Sequence, residues 1–98
     1  MAAPPVPALI PLGRGAKGFK GVVVQVGAPV ASGRSSLDPA ELERRLLEIG
    51  FVEGARVEIL HVGLFGGDPL AIRLDDMRVA LRRREADAVL VRVDEDAP

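Results

Sequence analysis

Across the second half of the chain, apolar and polar residues alternate with a period of two. Val57 and Ile59 share one face of a segment at 56–62. Leu70, Ile72 and Leu74 alternate with Ala71, Arg73 and Asp75. Met77, Val79 and Leu81 alternate with Arg78, Ala80 and Arg82, and Val89, Val91 and Val93 with Leu90 and Arg92. Period two marks strands with one wet face. An earlier β-forming run, Phe19 with Val22, Val23, Val24 and Val26, predicts a strand over about 18–26. Asp75-Asp76 reads as a tight turn that makes 70–81 a hairpin, and 83–87 as a short helical turn. Residues 63–69 read as a loop.

One segment carries the helical period instead. Leu42, Leu46 and Ile49 fall at i, i+4, i+7, with Leu47 beside them, and predict a helix over 39–49. Asp38 is placed as N-cap, Pro39 as first helical residue and Glu41 as the second member of a capping box. Leu37 and Leu42 are spaced as a hydrophobic staple. Gly50 can close the helix in a left-handed conformation, letting Phe51 fold back onto Leu46.

The pattern breaks at both ends and once in between. Pro4, Pro5, Pro7 and Pro11 make residues 1–12 an extended, Pro-rich leader, because proline lacks an amide donor and fixes φ. Residues 27–36 are a loop by composition, and 95–98 an acidic tail. The expected domain is therefore 13–94: five or so short strands and one α-helix after the first strand. Short strands protect their edges by closure, which suggests a small, mainly β barrel.

Composition sets limits. The chain has 98 residues, 13 Lys+Arg against 14 Asp+Glu, and no Cys, so no thiolate site or cysteine nucleophile exists. A net charge of -1 argues against a nucleic-acid partner. The absence of a long apolar run argues against membrane insertion, and the first residues do not resemble a signal peptide, so a cytoplasmic location is expected. The charge is uneven. Residues 1–37 hold Arg14, Lys17, Lys20 and Arg34 and no acid, whereas residues 38–98 hold nine bases and fourteen acids.

Candidate chemistry is sparse. Gly13, Gly15 and Gly18 match G-x-G-x-x-G, but a Pro-rich stretch precedes them and a strand follows, the wrong setting for a dinucleotide site. The glycines read as a turn into the first strand. Nucleophilic catalysis would have to pair a loop serine (Ser32, Ser35 or Ser36) with His61, without a nucleophile elbow, so no enzyme activity is expected. His61 with Glu58 and Asp68 is too thin a ligand set to assign a metal site. The most informative loop holds Leu64, Phe65 and Gly66. Either Phe65 folds back over a barrel end, or the loop offers apolar surface to a protein partner. Arg82, Arg83 and Arg84 form either a solvated corner or a contact for an acidic partner surface. Leu64, Phe65, Gly66, Arg82 and Arg83 are the candidate partner-binding residues. No catalytic, cofactor or metal residue is assigned.

Five strings in order carry a family resemblance: Leu46-Leu-Glu-Ile-Gly-Phe51, Glu53-Gly54-Ala-Arg-Val57, Gly67-Asp-Pro-Leu-Ala-Ile72, Val79-Ala-Leu-Arg-Arg83, and Glu85-Ala86 before Val89-Leu-Val91. Over roughly residues 18–93 the chain resembles the FeoA family of small SH3-like β-barrel domains associated with bacterial ferrous iron uptake. The resemblance implies a non-enzymatic accessory protein whose partner is the cytosolic part of a FeoB-type membrane transporter. It also relates the chain to the SH3-like domain of metal-dependent repressors, although no helix-turn-helix is present. A divalent-metal carrier or sensor, and a module that self-associates into a homo-oligomer through its barrel edge or leader, are the alternative readings.

Overall fold

The structure, a computed structural model, describes residues 9–27 and 38–93. The staple residue Leu37, the loop serines, the start of the leader and the acidic tail lie outside the described residues. In chain order the elements are β1 (Leu9–Pro11), a 3-10 turn (Leu12–Arg14), β2 (Lys20–Val26), α1 (Pro39–Ile49), β3 (Arg56–Gly63), β4 (Gly67–Leu74), β5 (Met77–Leu81), α2 (Arg83–Ala86) and β6 (Val89–Val93). The strands form one antiparallel sheet in the order β1-β6-β2-β3-β4-β5. The architecture is mainly β, with register shifts at Val23/Gln25 and Ile59/His61. Such bulges bend strands and let a short sheet curl around a core.

The alternating positions supply that core. Val57, Ile59, Leu70, Ile72, Leu74, Val89 and Val91 are all buried, joined by Leu42, Leu46 and Phe51 from the helix and its exit. Leu47 stays exposed, on the far side of the helical stripe. The Phe51 amide donates to the Leu46 carbonyl at 3.0 Å, a six-residue closure made possible by Gly50 at φ 128°. At the other end of α1 the expected capping box is absent: the Asp38 side chain makes no cap hydrogen bond. A box-like contact forms instead at α2, where Glu85 Oε1 accepts from the Arg82 amide at 2.9 Å.

The leader differs most from expectation. Leu9–Pro11 pair with Leu90–Arg92 of β6, and Leu12 is fully buried. The added strand makes six rather than five, and places α1 after the second. Pro11 is tolerated because β1 is an edge strand with a neighbour on one side only. The loop expected at 63–69 is also shorter, since β4 begins at Gly67 and takes in Asp68 and Pro69, which are joined by a cis peptide bond.

Candidate partner-binding surface

The β3–β4 hairpin ends in three residues, Leu64, Phe65 and Gly66. Gly66 and Gly67 both have positive φ, 68° and 88°, a backbone that side-chain-bearing residues rarely adopt. The Asp68 amide closes the turn on the Phe65 carbonyl at 3.3 Å. This turn carries Leu64 and Phe65 outward: they are 95% and 87% exposed. The fold-back alternative for Phe65 is therefore not what the chain does. Phe51 and Phe19, the other two phenylalanines, both pack in or against the core. Burying a leucine or phenylalanine is worth about 1.5–3 kcal/mol each, which this tip forgoes in the free protein.

The three arginines that follow β5 separate. Arg82 and Arg84 are exposed, and Arg83 is turned inward. Its Nε donates to the Gly67 carbonyl at 2.9 Å, and its Nη1 to the Gly13 and Gly15 carbonyls at 2.9 and 3.0 Å. Its amide donates to Asp68 Oδ1 at 2.7 Å. The sheet order ends at β1 and β5, which do not pair with each other. Arg83 thus joins the chain after β1 to the base of the hairpin, bridging by side chain what strand pairing leaves open. The glycine motif is absorbed here: a Cβ on Gly13 would collide with the Arg83 carbonyl and the Asp87 carboxylate.

His61 is exposed on β3, opposite Ala71. One oxygen of Asp68 already accepts from Arg83. Among the described residues no group of three or more His, Cys, Asp and Glu side chains is placed to hold a metal ion. A polar groove at the opposite end of the hairpin from the tip is lined by Lys20, Arg56, Glu58, Arg73 and Asp75, of mixed charge. Sequence reasoning singled out the loop at 64–66 without fixing its direction, and missed the inward role of Arg83. Nothing in the run Arg82-Arg-Arg84 singles Arg83 out from its neighbours.

Fold and surface together define a small SH3-like β domain with an apolar hairpin tip. The FeoA domain model matches residues 10–93, and the chain belongs to the FeoA family, SH3-like proteins associated with ferrous iron transport. Among solved structures, FeoA from Stenotrophomonas maltophilia, complexed with zinc, is 31% identical, with a TM-score of 0.64 over 88% of this chain and 96% of that one. That protein is described as a procaryotic SH3 domain protein and put forward as a ferrous iron transport activating factor. A FeoA-like protein from Clostridium acetobutylicum is 26% identical, with a TM-score of 0.70 over 92% of each chain. A manganese-dependent transcriptional repressor shares the fold at 24% identity and a TM-score of 0.69, and this chain spans 44% of its length. No curated protein matches the chain.

Proposed function

We propose that this chain is an accessory module of bacterial ferrous iron uptake that docks on the cytosolic part of a FeoB-type membrane transporter. The observation that carries the reading is the exposed Leu64–Phe65 pair on a glycine-shaped tip. Interface energy concentrates in a few large side chains that enter pockets, and a rigid turn presents such side chains at little ordering cost. Arg82, exposed near the base of the tip, supplies a cation at the rim. Arg83 holds the tip's base and belongs to the support of the contact. Among the described residues no helix is long and apolar enough to cross a membrane. A place on the cytoplasmic face beside the transporter is consistent with that.

The test is direct association of the chain with the transporter's cytosolic GTP-binding domain, with and without guanine nucleotide. Saturable binding supports the reading, and its nucleotide dependence identifies the state recognised. Absence of binding to both that domain and the intact transporter contradicts it.

A further inference from the structure

The free edge of the sheet at β5 carries its own complement. β5 pairs with β4 on one side and has no strand on the other among the described residues. The turn at Asp75-Asp76 makes Leu74 and Met77 the first facing pair. In a two-residue hairpin that closing pair is hydrogen-bonded, and bonded and non-bonded pairs then alternate. The backbone groups of Met77, Val79 and Leu81 therefore point to β4, and those of Arg78 and Ala80 point to the open edge. Arg78 and Ala80 are exposed, and Val79 is half-buried. The Arg82 amide is already held by Glu85, which ends the free edge at that residue.

We propose that two copies of this chain pair antiparallel through β5, with Val79 on the two-fold axis. Three registers let outward-pointing backbone groups meet. Centring on Arg78 sets that cation against itself. Centring on Ala80 sets Arg78 against Arg82 of the second copy. Like charges directly opposite are destabilising. Centring on Val79 sets Arg78 against Ala80, so that both such pairs exchange N–H···O bonds. It also sets Asp76 against Arg82 at each end, two reciprocal opposite-charge pairs. On the inner face it brings Met77, 49% exposed in the single chain, against Leu81 of the second copy. Each of the three registers is two-fold symmetric, and charge selects the one centred on Val79. The Leu64–Phe65 tip lies beyond Gly67 on the β3–β4 side, outside the paired edge, whereas Arg82, at the rim of the proposed transporter contact, is shared with the dimer.

Sedimentation of the full chain from micromolar to millimolar concentration tests the pairing. The expected result is a monomer–dimer equilibrium. Ala80→Pro removes an edge amide that β4 does not use, and should abolish the dimer while the far-ultraviolet dichroism is kept. Asp76→Arg should raise the dimer dissociation constant about tenfold, and the swap Asp76→Arg with Arg82→Asp should restore it. The chain has no cysteine of its own, so Val79→Cys supplies a single thiol on the axis. Facing residues of a non-bonded pair lie close enough for a disulfide, so Val79→Cys should oxidise to a covalent dimer faster than Ala80→Cys. A monomer at every concentration, or a dimer that survives Ala80→Pro, overturns the proposal. Leu64→Asp with Phe65→Asp should leave the dimer unchanged, which keeps this result separate from transporter docking.

Discussion

Leu64 and Phe65 stand in solvent, while Arg83, anchored to the base of the same hairpin, is drawn inward onto three backbone carbonyls. Residue type alone would place them the other way round. The difference lies in what the backbone leaves unsatisfied. At the tip, two left-handed glycines turn the chain so sharply that its side chains have no core to reach. At the clamp, the carbonyls of Gly13, Gly15 and Gly67 converge, and a guanidinium is the side chain whose fork can serve several at once. One region is apolar surface left to solvent, and the other is a charge used up within the fold.

Substitutions can break that contrast, and the largest effect should come from the clamp. Arg83→Ala leaves three carbonyls without their charged donor and should cost about 3 kcal/mol in denaturant unfolding. A loss below about 1 kcal/mol would show that water replaces the guanidinium freely. Gly13→Ala drives a Cβ into the Arg83 carbonyl and the Asp87 carboxylate, and should cost about 2 kcal/mol in the same assay. Arg83→Lys keeps the charge but not the fork, so a thermal melt should report a loss of about 1 kcal/mol. At the tip, Leu64→Asp with Phe65→Asp should change stability by no more than about 0.5 kcal/mol, as should Arg82→Ala, because these side chains have little packing to lose. A large loss at the tip would mean that Leu64 and Phe65 do pack against the barrel in solution.

The sequence made some of this arrangement visible and hid the rest, for physical reasons. Leu70-Ala-Ile-Arg-Leu74 alternates cleanly, and all three of its large apolar residues are fully buried. Gly50 followed by Phe51 announced the end of the helix, and the Leu46 carbonyl takes both amides. β1 was illegible because Pro11 and the prolines before it argue against a strand in general, yet tolerance at an edge depends on which neighbour is absent, a tertiary fact. The Asp38–Glu41 spacing satisfied the capping-box pattern without forming it. The tip was recognisable as two large apolar residues beside glycines, although its outward direction rests on φ angles that composition does not fix. Arg83 could not be told from Arg82 and Arg84 in a run of three identical residues. Only the position of Gly13, seventy residues away in sequence, distinguishes it.

The central claim is that the tip contacts the transporter while the clamp supports the tip. The most direct measurement is the affinity of the Leu64→Asp, Phe65→Asp double variant for the transporter's cytosolic domain, compared with the unaltered chain by calorimetry. The account predicts at least about a hundredfold weaker binding, as expected when two buried apolar anchors are lost, with the fold intact. Unchanged affinity would contradict it, and would remove the hairpin tip as the docking site.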